Sequence, residues 1–189
     1  GIISGVASAR EAFTVSLAVL DTAARDVPFA LIYSVDSSGG AVELVARTRS
    51  APDRACVPRL ELDDARALAA SWPLAEVVAT NRSRKVTDLR ARFGSFLCAP
   101  YPEPPVGALL LPIALPGAAS VSAVLVIAQS PRLALDGEYE VFFERVAAAL
   151  STNLASAHAQ EAQRLRAEQL SALDRAKTAS FSNVSYEFR

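Results

Sequence analysis

The chain has no methionine, one histidine, one tryptophan and two cysteines among its 189 residues. Each scarcity excludes a class of function. Two cysteines, Cys56 and Cys98, build no disulfide framework, and neither stands at metal-ligand spacing from another ligand. They read as reduced thiols of a cytoplasmic protein. With His158 as the sole histidine, neither a Ser-His-Asp triad nor a Cys-His pair is expected in a pocket of the globular part. The eight glycines are scattered and form no phosphate-cradling loop, so no nucleotide site is expected in this segment. Net charge is −1, too small to draw nucleic acid or an anionic membrane surface. The longest apolar runs, Gly107–Leu115 and Ala123–Ala128, are too short to span a bilayer and are interrupted by Pro112 and Pro116-Gly117. No secretory leader is visible. The missing methionine, at position 1 as elsewhere, leads us to expect an internal piece of a longer chain.

What is present suits one globular domain with an extension: 51% of residues are hydrophobic and 21% charged. Phe13, Leu17, Leu20 and Ala24 recur at helical spacing, which predicts a helix over Ser8–Ala24. Ser8 and Glu11 stand as a capping box at its start. Phe29–Val35 reads as a buried strand. Asp36-Ser-Ser-Gly-Gly40 is a turn, and Ala41–Thr48 is the partner strand of a hairpin. Residues 49–60 read as loop. Asp63 or Asp64 is the expected cap of a short helix over Ala65–Ser71. Pro73 suits the first position of a helix over Leu74–Thr80, capped from Ser71 or Trp72. Lys85–Leu89 is a short strand candidate, and Arg90–Pro105 reads as irregular. Ala108–Ile113 and Ser122–Ala128, joined by a turn at Pro116, read as central strands of an antiparallel sheet.

After Gly137 there is neither glycine nor proline. Val141, Phe142, Val146, Leu150, Leu154 and Ala157 recur at mostly three or four residues. Leu165, Leu170, Leu173, Phe181, Val184 and Phe188 continue the stripe, with a phase irregularity between Leu165 and Leu170. One helix over Glu138–Arg189 would be about 78 Å long. One small domain cannot bury such a stripe, so a homodimer through a parallel coiled coil is expected.

Two stretches carry resemblances. Asp174-Arg-Ala-Lys-Thr-Ala-Ser180 followed by Phe181-Ser-Asn-Val-Ser-Tyr-Glu-Phe-Arg189 resembles the phosphoacceptor box of sensor histidine kinases, Asp-Arg-Ala-Lys-Thr-x-Phe-Phe-Ser-Asn-Val-Ser-His-Glu-Phe-Arg-Thr-Pro-Leu. Tyr186 stands where that family carries its phosphorylated histidine, and the sequence stops before Thr-Pro-Leu. The order of elements resembles a GAF domain over roughly residues 8–158. Val27-Pro-Phe-Ala-Leu-Ile-Tyr-Ser-Val-Asp36, Trp72-Pro-Leu-Ala-Glu-Val-Val with Lys85-Val-Thr-Asp-Leu89, and the two apolar runs at 108 and 122 carry this likeness.

The resemblances imply an α+β fold with a GAF-type antiparallel sheet flanked by helices and a long C-terminal coiled-coil helix. Residues 1–158 would form the GAF-like sensor domain, and residues 159–189 the start of a kinase dimerisation and phosphoacceptor helix. They imply the regulatory region of a cytoplasmic two-component sensor histidine kinase, possibly hybrid, feeding a phosphorelay. ATP would bind the missing kinase domain, a receiver domain would accept the phosphoryl group, and a small molecule is a possible ligand. No metal, nucleic acid or membrane span is expected, and this chain alone should catalyse nothing. Glu187 is placed in the family to act as a base on the acceptor, and a phenol with pKa about 10 does not replace an imidazole simply. On a helix, Phe181, Val184 and Phe188 share one face and Tyr186 points away from it. GAF pockets lie between the sheet and the segment crossing it, here about Trp72–Pro105. Tyr33, Trp72 and Thr87 are the candidate lining residues, and all three read more readily as ordinary core or rim residues. Phytochrome-type chromophore attachment is not expected, since neither Cys56 nor Cys98 precedes a histidine. Glu61, Asp63 and Asp64 read as capping carboxylates rather than a cation site, and Arg82, Arg84 and Lys85 as a solvated cluster. His158 reads as a solvent-facing or dimer-seam residue. Two other readings stay open: a non-sensing dimerisation module of a pseudokinase, and a ligand-gated GAF region of another signalling protein.

Overall fold

Alternation along a strand puts successive side chains on opposite faces of a sheet, and here both faces are apolar. In the computed structural model, which describes the backbone of residues 2–23, 25–132 and 137–187 and side chains within 9–181, six strands form one antiparallel sheet. They are β1 (Ala30–Val35), β2 (Ala41–Arg47), β3 (Arg59–Glu61), β4 (Arg84–Val86), β5 (Ala108–Ile113) and β6 (Ala123–Ala128). Their order across the sheet is β3-β2-β1-β6-β5-β4. The helices are α1 (Ile2–Asp21), α2 (Ala65–Ala69), α3 (Leu74–Thr80), α4 (Leu89–Phe93) and α5 (Gly137–Glu187), with a 3-10 turn at Asp53–Ala55.

Leu31 and Tyr33 of β1, Leu110 of β5 and Val124 and Val126 of β6 face the segment that carries α2, α3 and α4. Ala30, Ile32, Leu109, Leu111, Leu125 and Ile127 face α1 and α5 instead. This double burial is why β1, β5 and β6 read as continuous apolar runs. The register of β1 against β2 shifts between Ile32 and Tyr33, which pair with Ala46 and Leu44. The skipped Val45 marks a bulge, and it packs with Ala46 against the α1/α5 side. Pro112 is accommodated because β4 pairs β5 only from Ala108 to Leu110, leaving that side of β5 open at Pro112.

Several expectations are corrected. α1 begins at Ile2, well before Ser8, and ends at Asp21. Residues 49–60 are not all loop: they hold the 3-10 turn and most of β3. β4 is Arg84–Val86, and Leu89 belongs to α4, so the irregular stretch starts only at Gly94. Pro73 is the N-cap of α3 rather than its first residue and, lacking a side-chain donor or acceptor, makes no capping bond. Asp64 does cap α2, accepting from the Arg66 and Ala67 amides at 3.1 and 2.9 Å. At the β1–β2 turn Gly39 has φ +73°, and an Asp36 carboxylate oxygen accepts from the Gly40 and Ala41 amides. A side chain at Gly107 would meet the Val86 carbonyl oxygen at 2.9 Å, so glycine lets β4 approach.

The long helix is continuous, without a break between Leu165 and Leu170. Its buried stripe is Phe143, Ala147, Leu150, Leu154 and Ala157. Val141 and Phe142 are exposed, at 46% and 44%, while Phe143 is fully buried, one residue out of the expected phase. Beyond Ala157, no side chain through Phe181 is buried. α1 runs antiparallel to the buried part of α5: Tyr139 donates to the Asp26 carbonyl at one end, and Asn153 donates to the Ser16 hydroxyl at 3.2 Å farther along.

Candidate functional site

Two regions are candidates: the sheet face under α2–α4, and the C-terminal helix with its terminal box. The first is built around Trp72. It lies in the short connection between the end of α2 at Ala69 and the start of α3 at Leu74, which carries the indole down onto the sheet. The ring is fully buried. Its Nε1 donates to the Ala55 carbonyl at 2.8 Å, which satisfies the one polar group the indole brings into the core. Phe93 lies against it with centroids 4.6 Å apart, and Phe29 at 6.4 Å. Phe96 closes on Phe29 from the following loop at 6.0 Å.

Tyr33 joins Trp72 in this cluster and is also fully buried. Its hydroxyl makes no hydrogen bond among the described residues. It faces the Val57 backbone and Cys56, and burial drives its pKa far above the ordinary tyrosine value. Ser71, beside Trp72, likewise buries a hydroxyl without a partner among the described residues. Thr87 is elsewhere in character: it is exposed after the end of β4 and does not join the cluster. So the structure brings Tyr33 and Trp72 together and leaves Thr87 outside. The space between sheet and crossing segment is occupied by aromatic rings.

Sequence reasoning missed Arg92, which holds this cover in place. Its Nε donates to Asp88 at 2.8 Å, and Nη1 reaches the carbonyls of Leu68, Ala69 and Ser71 at 3.3, 3.0 and 2.8 Å. The Leu68 and Ala69 carbonyls end α2, where helical acceptors run short of intrahelical donors, and the Ser71 carbonyl lies just past it. The same contact lowers the Asp88 pKa. The only signal in the sequence was an Asp-x-x-x-Arg spacing, common on any helix.

Of the expected basic cluster, Arg84 pairs with Glu76 and Lys85 with Glu140 on α5. Cys56 is half-buried and Cys98 buried, both as free thiols. Among the described residues no group of three or more histidine, cysteine or carboxylate side chains could hold a metal ion. Nor is any helix long and apolar enough to cross a membrane.

The second candidate lies on α5. The helix backbone continues through the terminal box as far as Glu187. The side chains of Val184, Tyr186 and Glu187 lie outside the described residues, as does all of Phe188. Leu170, Leu173 and Phe181 expose 65%, 58% and 74% of their surfaces.

No protein-family model and no curated protein matches the chain. Solved structures do. A GAF domain of an Acinetobacter phosphoenolpyruvate-protein phosphotransferase is 20% identical, with a TM-score of 0.54 over 80% of this chain and 84% of that one. Residues 122 to 287 of a methyl-accepting chemotaxis protein give 17% identity and a TM-score of 0.58, covering 82% of this chain and 93% of that one. The second GAF domain of DevS from Mycobacterium smegmatis gives 14% and 0.53, over 84% and 99%. At these identities what is shared is the fold. The chain therefore has a GAF-like fold, a six-stranded antiparallel sheet with helices on it and one long C-terminal helix leaving it.

Proposed function

We propose that this chain is the input region of a sensor histidine kinase, and that α5 is its output shaft. The observation that carries the reading is the continuity of α5. One helix holds core contacts from Phe143 to Ala157 and continues into Asp174–Glu187, the stretch resembling the phosphoacceptor box. Similar folds occur in a chemotaxis protein and in a phosphotransferase, which fits a signalling role. In this reading residues 1–158 sense and residues 159–189 dimerise and present the acceptor position. The protein works in the cytoplasm as a homodimer. A kinase domain elsewhere in the protein binds ATP, and a receiver domain takes the phosphoryl group. A bias of about 1–3 kcal/mol between two settings of α5 is enough to switch such a device.

Tyr186 occupies the acceptor position, with Glu187 beside it. Imidazole is nucleophilic near neutral pH, whereas phenol is almost wholly protonated there, with pKa about 10. In a longer chain with an intact kinase domain, Tyr186→His should therefore create autophosphorylation that is acid-labile and base-stable. Equal labelling of the tyrosine form at Tyr186 would overturn this account of the acceptor. The 189-residue chain itself should stay unlabelled by ATP.

A second reading is favoured by Trp72. Its ring fills the space beneath α2–α4, as expected of a dimerisation module that senses nothing on that face.

A further inference from the structure

A separate site lies on the opposite side of the sheet, where α1 and α5 meet the end of β1 and the start of β6. It is a wedge of about 470 Å³, within the range of small-molecule pockets. Its apolar wall includes Phe13 of α1 and Leu154 of α5, themselves buried. Its polar wall holds Arg10, His158 and the hydroxyls of Ser34, Ser120 and Ser122.

These polar groups are unspent. Among the described residues Arg10 has no ion pair, and neither its guanidinium nor the His158 ring has a hydrogen-bond partner. Asp36 is the one carboxylate in the lining, and it is engaged elsewhere. One oxygen accepts from Ser38, Gly40 and Ala41, and the other lies 3.8 Å from Arg59. Those donors, Ser38 first, hold its pKa below the ordinary value. Both Arg10 and His158 are exposed at the rim, so the wedge offers a permanent cation, an imidazole that donates in either protonation state and several hydroxyls above an apolar floor. A guanidinium fork recognises a carboxylate in two-point fashion.

We propose that this wedge binds a small organic acid, one carboxylate on an aromatic or branched apolar body. The carboxylate sits between Arg10 and His158, and the body lies on Phe13 and Leu154. Such a ligand bridges α1 to α5 near the last buried turn of α5. The inference stands on the lining and does not depend on the kinase reading.

His158 is the only histidine, so its ring resonances report on the wedge alone. The test titrates the full chain with benzoate, phenylacetate and isovalerate, with phenol and chloride as controls. At least one acid should shift the His158 ring signals saturably, with the millimolar affinity expected of so small a probe. Arg10→Gln should weaken that binding about tenfold, with Arg10→Lys intermediate and melting temperatures unchanged. Phenol should bind more weakly than benzoate. The proposal is overturned if no acid moves His158, if Arg10→Gln binds as the parent does, or if phenol matches benzoate.

Discussion

Trp72 and Tyr33 are neighbours in one core with opposite energetics. Trp72 has its polar atom satisfied at 2.8 Å and rings on two sides. Trp72→Ala should cost about 3–5 kcal/mol, and Trp72→Phe less, both read from denaturant unfolding. Tyr33 buries a hydroxyl that faces the Val57 backbone but makes no well-formed hydrogen bond among the described residues. Tyr33→Phe should then be neutral or stabilise by up to about 1 kcal/mol, since removing an unpaired buried hydroxyl relieves its desolvation cost. A loss above about 1 kcal/mol would mean the hydroxyl has a partner in solution. Cys98 makes a third case. Burial raises its pKa from 9.0 to about 11. As pH rises past 9.0 the unfolded chain gives up this proton first, so it binds fewer protons than the folded chain and stability falls toward pH 11. Thiol alkylation of the native protein should modify half-buried Cys56 well before Cys98, as peptide mapping would show. Burial of Tyr33 and Trp72 was within reach of the sequence, since both lie in apolar surroundings. The exposure of Thr87 was not, because nothing local tells a residue just past the end of β4 from one that continues it.

At the scale of elements, legibility followed length and burial. β1, β5 and β6 declare themselves because both faces are covered, so their apolar runs are unbroken. β3 has three residues, of which Arg59 and Glu61 are exposed and Arg59 pairs with Glu43 and Glu61; its pattern is that of a solvated loop. α4 has five residues, two of them arginine, and its reason for existing is tertiary: Phe93 goes down onto Trp72 while Arg92 ties off α2. Arg92→Lys should therefore destabilise by about 1–3 kcal/mol, as lysine cannot reach Asp88 and three carbonyls together. An exposed arginine such as Arg90 should tolerate the same change. Asp64→Ala should cost about 1 kcal/mol through the lost cap of α2. The phase of α5 is ambiguous in the sequence for a plain reason. Val141, Phe142 and Phe143 are consecutive and apolar, so helical spacing alone does not say which one faces the sheet. The packed surface decides for Phe143.

For the whole molecule, the question is what covers the rest of α5. The leucines at 170 and 173 are exposed on a helix that the domain has stopped supporting. The proposed homodimer predicts that sedimentation finds the full chain dimeric at tens of micromolar (a working concentration). A chain ending after Gln160 keeps every buried contact through Ala157 and should dissociate more readily. If both are monomeric, the shaft has no partner of its own kind.

The same helix has a mechanical consequence. Its span after Ala157 is about 45 Å, at 1.5 Å per residue. Its pivot is the buried patch from Phe143 to Ala157, pressed on the sheet and flanked by α1. Tilting a rigid rod of that length by about 10° sweeps its far end through about 8 Å. Within the pivot patch the same rotation displaces side chains by at most about 2 Å. A change in core packing no larger than a rotamer adjustment is thereby geared up to the width of a helix at the distant tip.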